Sequence, residues 1–334
     1  MDGTELLSFL HISDLHFGEP PAHAAPLPAS LRHLSWCDGW LGHDFRAVKA
    51  LSDFATEHDD LTPHMVITGD MTACGKPAEF DTATRYVQTS IKVGIGRYGL
   101  RHKHVLNRSI PGNHDHWPGS NRVVGWNQAC DAARRLMFPQ LPFIPYAIPL
   151  PNGKSLVIAG INSDEDVWPS GPTRAFARGK FISQVQALQG VLGGRGQDEI
   201  RALLVHHSPS WKGHKLGIDK KSDNALWNFI RQYGFSVVLT GHIHIPIGRI
   251  TPVTHNGRTW DVLEARCGTT TQTDEVPLAW RGTVSPDRFP RNSLLVHRLI
   301  DHGERIDWVV DRYWRRDTGF DRKEDLTKPV TVWP

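Results

Sequence analysis

The chain has 334 residues, a length that can bury one large α/β core or two smaller ones. Its composition, 39% hydrophobic and 22% charged, is ordinary for a globular protein and argues against disorder. The net charge of +3, with basic and acidic residues interspersed, gives no strong signal for nucleic-acid binding. No apolar run approaches the roughly 18 residues that a membrane-spanning helix needs.

Strands and helices alternate in the first part of the chain. The apolar positions predict a buried strand over 6–12, a helix over 44–57 and a strand that ends at Asp70, which together form a β–α–β unit. A helix over 78–91 and a strand over 104–110 repeat this arrangement.

The later elements follow from the same periodicities and from turn residues. In chain order they are a helix over 124–138, a hairpin over 146–150 and 155–161, a helix over 181–192, a strand from 202, a helix over 222–230 with Ser222 as its N-cap, a strand over 235–239, and an antiparallel pair over 293–300 and 305–310. We therefore expect one α/β domain over 1–334, built of two packed sheets with flanking helices. It carries an insertion loop at about 18–43 and a strand-rich extension at about 250–334.

The cysteines and the amino terminus bear on the cellular compartment. Cys37, Cys74, Cys130 and Cys267 lie far apart without a Cys-x-x-Cys spacing, so they predict free thiols and no thiolate zinc site. The first five residues lack the basic start of a signal peptide. We therefore expect a cytoplasmic protein.

Five short polar patches each follow an apolar run typical of a buried strand. They are Asp14-Leu15-His16, Gly69-Asp70, Gly112-Asn113-His114-Asp115, His206-His207-Ser208-Pro209 and Gly241-His242-Ile243-His244. Because the carboxyl ends of neighbouring strands in an α/β sheet converge on one crevice, these side chains are expected to meet in space. Their carboxylates, imidazoles and amide predict a metal site.

The ligand types favour two divalent ions that share one carboxylate. Asp70 is the candidate bridge, because a carboxylate has two oxygens. Candidate ligands of one ion are Asp14, His16 and His244, and those of the other are Asn113, His242 and either His206 or His207. In the Asp-x-His and His-x-His spacings, residues i and i+2 of an extended segment would point to the same side. Mixed nitrogen and oxygen ligands suit Mn, Fe, Zn or Co without selecting one.

In this order, the five patches resemble the motifs of the calcineurin-like metallophosphoesterase superfamily: Asp-x-His, Gly-Asp, Gly-Asn-His-Asp/Glu, a later His and Gly-His-x-His. The resemblance spans residues 9–246. It implies a four-layer α/β–β/α sandwich of two mixed sheets flanked by helices, a dinuclear metal centre and hydrolysis of a phosphate ester. Within the superfamily the chain looks most like the bacterial phosphodiesterase branch related to class III cyclic-nucleotide and glycerophosphodiester enzymes.

The resemblance also implies a mechanism, in which a hydroxide that bridges the two metals attacks a phosphodiester in line. His114 is then available to assist the leaving group, since Asn113 fills the ligand position. Asp115 is a candidate to orient the imidazole of His114, although an Asp after a turn also serves as a helix cap. Related proteins favour His207 as the ligand because of its spacing to Pro209, but a His-His-Pro form selects His206.

Other functions stay open at this point. A phosphomonoesterase or a nuclease would use the same site, and a non-catalytic metal-binding interaction scaffold is the alternative from another class. The expected partner is a small phosphate-ester substrate, which is nucleotide-like in one version of the hypothesis. The sequence does not identify the physiological substrate, the native metals or the oligomeric state, and a homo-oligomer stays open.

Overall fold

The computed structural model describes residues 3–18, 43–93, 95–102, 108–116, 128–138, 145–167, 178–211, 216–272, 292–316 and 319–333. The predicted insertion at 18–43 falls almost entirely outside these residues, as do the first parts of the strand predicted over 104–110 and of the helix predicted over 124–138.

Fifteen strands and six α-helices are present in the described part of the chain. The strands are β1 (Thr4–Ile12), β2 (Val66–Thr68), β3 (Ile91–Val93), β4 (Gly96–Tyr98), β5 (Ser109–Ile110), β6 (Tyr146–Pro149), β7 (Ser155–Ile161), β8 (Glu199–Val205), β9 (Val237–Thr240), β10 (Ile247–His255), β11 (Arg258–Arg266), β12 (Ser293–Asp301), β13 (Ile306–Arg315), β14 (Phe320–Asp325) and β15 (Val330–Trp333). The helices are α1 (Phe45–Glu57), α2 (Pro77–Gln88), α3 (Asn113–His116), α4 (Gln128–Met137), α5 (Ile182–Val191) and α6 (Lys220–Tyr233), and a short 3-10 helix covers Asp59–Leu61.

Two large mixed sheets form the centre of the molecule. The first has the order β14-β13-β12-β1-β2-β5, with β15 also paired to β13, and the second has the order β10-β11-β9-β8-β7-β6. In the first sheet β1, β2 and β5 are parallel, and in the second β7, β8, β9 and β11 are parallel. Antiparallel strands complete the first sheet on the β12 side and the second sheet at both edges.

Three apolar clusters hold the sheets and helices together in layers. One joins residues of both sheets, for example Phe9 and Leu204, so the sheets pack face to face. A second packs α1 and α2 on the outer face of the first sheet, and a third packs α5 and α6 on the outer face of the second. These layers confirm the predicted four-layer α/β–β/α sandwich.

The C-terminal strands are part of this architecture. β10 and β11 extend the second sheet, and β12 to β15 form half of the first. The antiparallel pair predicted over 293–300 and 305–310 is confirmed as β12 and β13. Whether 1–334 acts as a single domain stays a prediction.

Two local predictions need correction. Helix α6 begins earlier than expected, because its N-cap is Asp219, whose carboxylate accepts hydrogen bonds from the backbone N–H groups of Lys221 and Ser222. Ser222 lies inside the helix and is not the cap. Helix α2 ends at Gln88, and Ile91 begins the small β3–β4 hairpin in place of a last helical turn.

The cysteines at 74, 130 and 267 are buried and form no disulfide. None of the described helices is both long and apolar enough to cross a membrane.

Candidate metal centre

The carboxyl ends of five strands converge between the two sheets, as the sequence predicted. β1 leads to Asp14 and His16, β2 to Asp70 and β5 to Asn113, all from the first sheet. β8 leads to His206, and β9 leads to His242 and His244 of the second sheet. All seven side chains are buried. The expected convergence of the patches is thus present.

One group of ligand atoms comes from Asp14, His16 and His244, which lie within 4.8 Å of one another. The Nε2 atom of His244 is 3.1 Å from Oδ1 of Asp14, and the Nε2 atom of His16 is 3.8 Å from the same oxygen. The other oxygen of Asp14 is occupied, because it accepts hydrogen bonds from the Ser13 hydroxyl at 2.6 Å and from the His242 backbone N–H at 3.1 Å.

A second group comes from Asp70, His206 and His242, again within 4.8 Å. Oδ2 of Asp70 is 3.2 Å from Nε2 of His206 and 3.7 Å from Nε2 of His16, so one carboxylate oxygen faces both groups. The amide oxygen of Asn113 lies 3.0 Å from Nε2 of His206. Asp70 therefore occupies the position expected of a shared ligand, with Asn113 beside the second group.

The backbone at these residues is unusual. Asp14, His16, Asp70, His242 and His244 all have positive φ, between 49° and 72°. Such φ values are uncommon for residues other than glycine and concentrate at functional sites. They also correct the geometric reason given for the Asp-x-His and His-x-His spacings. In each spacing, the two side chains point to the same side because both residues have left-handed backbone beyond the end of the strand. The segment that carries them is not extended.

Two glycines allow the loops to approach each other. A Cβ atom at Gly112 would lie 2.2 Å from Oδ1 of Asp70. One at Gly241 would lie 2.0 Å from the hydroxyl of Ser13 and 2.7 Å from Oδ2 of Asp14. Any larger residue at either position would displace an Asp that faces the centre, which explains why the Gly-Asn-His and Gly-His-x-His patches begin with glycine.

The electrostatics favour ionised carboxylates and keep the imidazoles of His16 and His242 neutral. Burial alone would raise the pKa of Asp14 and Asp70, but attraction to imidazoles, led by His244 and His206 respectively, outweighs it and holds both pKa values well below the usual range. Burial lowers the pKa of His16 to about 4 and that of His242 well below its usual value.

His206 is the exception. Burial opposes its protonation, but the Asp70 carboxylate outweighs this and raises the pKa of His206 to about 9. A cation held by Asp70 would compete with that proton.

The donor set fits divalent metal ions. Several buried polar atoms of the candidate ligands have no hydrogen-bond partner among the described residues: Oδ1 of Asp14, both ring nitrogens of His16, Nε2 of His242 and Nδ1 of His244. Buried polar atoms are nearly always paired, so five unpaired atoms in one place indicate a missing partner. Two carboxylates and four imidazoles, with one carboxylate between two groups, match a pair of cations.

Comparison with protein families agrees with this geometry. The family model described as calcineurin-like phosphoesterase matches residues 7–246. The chain belongs to the calcineurin-like phosphoesterase family. The family uses divalent metal ions and includes metal-dependent phosphoester hydrolases, and the two groups described above are the candidate metal sites of this member. The comparison with curated proteins found no match.

Solved structures of similar fold include proteins of several kinds. A Plasmodium protein, described as GAP50, the anchor in the inner membrane complex, has a TM-score of 0.48 and 9% identity, and the alignment covers 97% of this chain and 90% of that one. The calcineurin-like phosphoesterase YfkN from Bacillus subtilis has a TM-score of 0.39, 11% identity and coverage of 98% and 92%. A Vps29 mutant from Entamoeba histolytica has a TM-score of 0.33, 13% identity and coverage of 97% and 99%. At these scores the likenesses carry no argument about function.

In this calcineurin-like phosphoesterase, geometry separates the two adjacent histidines after β8. Nδ1 of His206 donates a hydrogen bond to the Thr68 carbonyl at 2.6 Å, which leaves Nε2 directed at Asp70 and Asn113. His207 stands outside both groups, with Nδ1 2.8 Å from the Ser163 hydroxyl and its ring 4.2 Å from that of His242. The geometry therefore favours His206 over His207, contrary to the order taken from the spacing to Pro209.

His114 lies beside the first group without belonging to it. Its ring is 4.6 Å from that of His16, and its backbone N–H donates to Oδ1 of Asp70 at 2.8 Å. Nδ1 lies 2.7 Å from the Ala73 carbonyl. A carbonyl only accepts, so Nδ1 carries a proton and Nε2 is the atom that can gain or release the second one.

Asp115 does not orient His114 as the sequence analysis expected. Its Oδ1 accepts hydrogen bonds from the N–H and hydroxyl of Thr72 at 2.9 and 2.8 Å, and its Oδ2 accepts from the N–H groups of Met71 and Gly112 at 3.1 and 3.0 Å. The carboxylate instead joins the Gly-Asp loop to the Gly-Asn-His loop. Burial, followed by repulsion from Asp70, raises the pKa of Asp115 to about 6.

Three consecutive threonines that the sequence analysis did not single out support the first loop. The Thr269 and Thr271 hydroxyls donate to the carbonyls of Asp14 at 2.9 Å and Leu15 at 2.6 Å. The Thr270 hydroxyl accepts from the Ser13 backbone N–H at 3.1 Å. The Thr-Thr-Thr run shortly after β11 is a sequence signal that could have pointed to them, but it lies outside the motif region.

Arg266 of β11 connects the loop that carries His206 and His207 with the loop that carries His242 and His244. Its Nε donates to the Ile245 carbonyl at 2.9 Å, one residue after His244, and its Nη1 donates to the Ser208 hydroxyl at 3.0 Å, one residue after His207. Glu264 on the same strand accepts from that hydroxyl and, at 3.1 Å, from the Ser210 N–H. Arg266 and Glu264 are both buried.

Proposed function

We propose that the protein is a dinuclear metal-dependent phosphodiesterase that hydrolyses a small phosphodiester. The supporting observation is that two groups of buried ligand atoms face a single carboxylate oxygen, Oδ2 of Asp70. One cation would be held by Asp14, His16 and His244, and the other by Asn113, His206 and His242, with Asp70 shared. When bound, such a pair supplies a water that ionises near neutral pH and polarises the phosphoryl group.

The chain's own residues complete the reaction. The Ala73 carbonyl fixes the ring of His114, so its Nε2 can hold the proton that the departing oxygen of the alcohol requires. The Asp115 carboxylate holds the loop that carries His114 against the Gly-Asp loop. The products are a phosphate monoester and an alcohol, and the leaving alkoxide takes the proton from His114.

The substrate class is part of the proposal. We infer a small phosphodiester, nucleotide-like or glycerophosphodiester, from the resemblance to the bacterial phosphodiesterase branch. Substrate identity, the choice among Mn, Fe, Zn and Co, the cytoplasmic location and the oligomeric state stay predictions.

The test compares bis(p-nitrophenyl) phosphate with p-nitrophenyl phosphate, each with added Mn, Zn, Fe or Co. We expect metal-dependent hydrolysis with preference for the diester, and two metal ions per chain by elemental analysis. Asp70→Ala should lose both bound metal and activity. Its control is Asp81→Ala, an exposed carboxylate paired with Arg85 on α2, which should lose neither.

Four results would contradict the proposal. Full activity in Asp70→Ala would remove the shared ligand from the mechanism. A preference for the monoester would identify a phosphomonoesterase, and cleavage of single-stranded DNA in preference to the small diester would identify a nuclease. Two bound metals with no hydrolysis of any substrate would indicate a non-catalytic scaffold.

A further inference from the structure

A cavity of about 420 Å³ lies away from the metal centre. Its lining includes Arg195, which precedes β8, and Ser236, which precedes β9, together with residues from the start of β11 and from β15. It therefore opens at the amino ends of strands whose carboxyl ends carry the metal ligands. The length of β8 puts the two sites on the order of 20 Å apart.

The cavity carries excess positive charge. Arg195, Arg258 and Lys328 line it, against a single carboxylate, Asp261. Within the part of the chain that the structure describes, none of the three cations forms an ion pair with a carboxylate. The nearby carboxylate of Glu199 is occupied, because it accepts from Arg201 at 2.6 Å. The lining therefore has an excess of two positive charges.

Arg195 is held in place before any ligand arrives. Its Nε donates to the Glu199 carbonyl at 2.8 Å, and its guanidinium lies 5.7 Å from the ring centre of Trp333. Gly234, with φ of +66°, gives room for its aliphatic stem, since a Cβ there would lie 2.9 Å from Cδ of Arg195. Nη2 of Arg195 has no hydrogen-bond partner among the described residues. A fixed guanidinium loses little freedom when it binds an anion.

Like charges are crowded at this position. Burial, followed by repulsion from Arg258 and Arg201, lowers the pKa of Arg195 to about 10. An anion between Arg195 and Arg258 would relieve their mutual repulsion.

The remaining walls suit a small molecule. Residues that carry hydroxyl groups, Ser236, Thr259 and Thr331, also line it, as do the apolar residues Ile250 and Trp260. The Trp260 ring is fixed, because its Nε1 donates to the Phe235 carbonyl at 2.9 Å. The volume lies in the range of small-molecule pockets, which is about 300–1,000 Å³.

We propose that this cavity binds a phosphate monoester, with the phosphoryl group between Arg195, Arg258 and Lys328. A phosphoryl group carries a charge of about −1.5 to −2 near neutral pH, which matches the excess charge of the lining. A carboxylate ligand would leave part of the positive charge of the lining uncompensated. Guanidinium groups also bind phosphate oxygens in pairs, which gives Arg258 and Arg195 a geometric advantage over lysines alone. The inference does not depend on the metal centre.

Hydrogen–deuterium exchange on the full chain tests this proposal, with AMP and inorganic phosphate as separate probes. We expect slower exchange in peptides over 255–262 and 326–333. Binding at the metal centre would instead slow exchange in the loops after β2 and β9, so the two sites give different signals. Slower exchange with both probes shows that the phosphoryl group suffices, and with AMP alone that the organic part also contributes.

Variants complete the test. The double variant Arg258→Ser/Lys328→Ser should weaken probe binding on the order of tenfold or more, the effect of losing charge-assisted contacts. Both side chains are exposed, so folding should not suffer. Lys92→Ser removes an exposed cation from the separate β3–β4 sheet and should leave binding unchanged. The proposal is overturned if neither probe slows exchange at this cavity, or if the double variant binds as well as the parent.

Discussion

The residues that face the metal centre and the residues that hold them in place belong to two different parts of the chain. The first set lies in the five patches between Asp14 and His244, inside the region that matches the family model. Much of the second set, Arg266 and Thr269 to Thr271, comes after residue 246, where no motif marks it. The candidate ligands can thus be found by pattern, but their positions depend on residues that no sequence motif marks.

The two sets also differ in what they contact. The side chains of the first set face one another across a buried space, and several of their atoms lack hydrogen-bond partners. Side chains of the second set are hydrogen-bonded to loop backbone, as in the bonds from the threonine hydroxyls to the Asp14 and Leu15 carbonyls. Strained loops with positive φ need such support, because the left-handed conformation costs free energy at each residue. Substitutions in the two sets should therefore impair metal binding and activity in different ways.

The largest effect should come from His114, which lies in a motif patch but outside both ligand groups. His114→Gln is expected to keep both metals and to lose activity by about 10²–10⁴-fold, the range of general acid catalysis. Rate measurements and elemental analysis on the same preparation check this. His58→Gln, which alters a ring packed on Phe54, is the control and should leave both quantities unchanged. Loss of metal in His114→Gln would instead make His114 a ligand.

Gly112→Ala should have the next largest effect. The added methyl would lie 2.2 Å from Oδ1 and 2.6 Å from the backbone nitrogen of Asp70, so the shared carboxylate must move. A displacement of about 1 Å at a reacting centre costs on the order of 10²-fold in rate. We expect loss of activity and weaker metal binding in a protein that still folds. Gly190→Ala on α5, where a Cβ meets nothing within 4 Å, is the matched control. Unchanged metal affinity would show that the loops are looser than the distances indicate.

Arg266→Gln tests the supporting set directly. It removes the connection between the Ile245 carbonyl and the Ser208 hydroxyl, and with it the tie between the two histidine loops. Outer residues of this kind typically affect metal affinity by about 10–100-fold. Manganese titration by calorimetry measures the change, and Arg249→Gln, an exposed arginine on β10, serves as control. Arg266→Lys should restore little, because an ammonium does not reproduce the two-pronged contact. Equal metal affinity in all these variants would show that metal binding depends only on the ligand residues themselves.

The sequence was sufficient for the architecture where burial produces a clear periodicity. The apolar patterns of β1 and β12 predict both strands within two residues at each end, and that of β13 predicts its first half. β10 and β11 were predicted only as part of a strand-rich extension and not as individual strands; β10 is an edge strand with a largely exposed pattern and contains Gly248 and Pro252. Proline is tolerated in edge strands, where its missing N–H faces solvent, but its presence argues against a strand when only the sequence is known.

The candidate site was predictable in membership and less so in geometry. Carboxylates and imidazoles at strand ends converge for topological reasons, which is why Asp14, Asp70 and His242 could be grouped. The choice between His206 and His207 depends on the Thr68 carbonyl, which lies 138 residues away in the chain. The contacts of Asp115 depend on the path of the Gly-Asp loop. Neither can be inferred from local pattern.

The smallest effect concerns a buried hydrogen-bond chain that ends at Thr68, whose carbonyl holds His206. The Trp308 indole donates to Nδ1 of His297 at 2.9 Å, so neutral His297 donates from Nε2 to Nδ1 of His11 at 3.2 Å. His11 then donates to the Thr68 hydroxyl at 2.9 Å. The direction of this chain requires both imidazoles to be neutral.

Acid should therefore weaken the fold through these two histidines. Burial lowers the pKa of His11 to about 3 and that of His297 well below its usual range. An unfolded histidine binds a proton near pH 6.5, whereas these folded ones do not, so their contribution to stability is complete above about pH 6.5 and is lost as the pH falls toward 3. Over this range, each of the two histidines lowers the free energy of unfolding by about 1.4 kcal/mol for every unit by which the pH falls.

In His297→Gln the amide can still accept from Trp308 and donate to His11, but it does not titrate. Urea unfolding of the metal-free protein should show that this variant loses about 2 kcal/mol less than the parent between pH 6.5 and 5.0. Equal losses of unfolding free energy in the two proteins would mean that His297 is protonated without cost in the folded state. The hydrogen-bond chain from Trp308 to Thr68 would then not have the fixed direction inferred from its geometry.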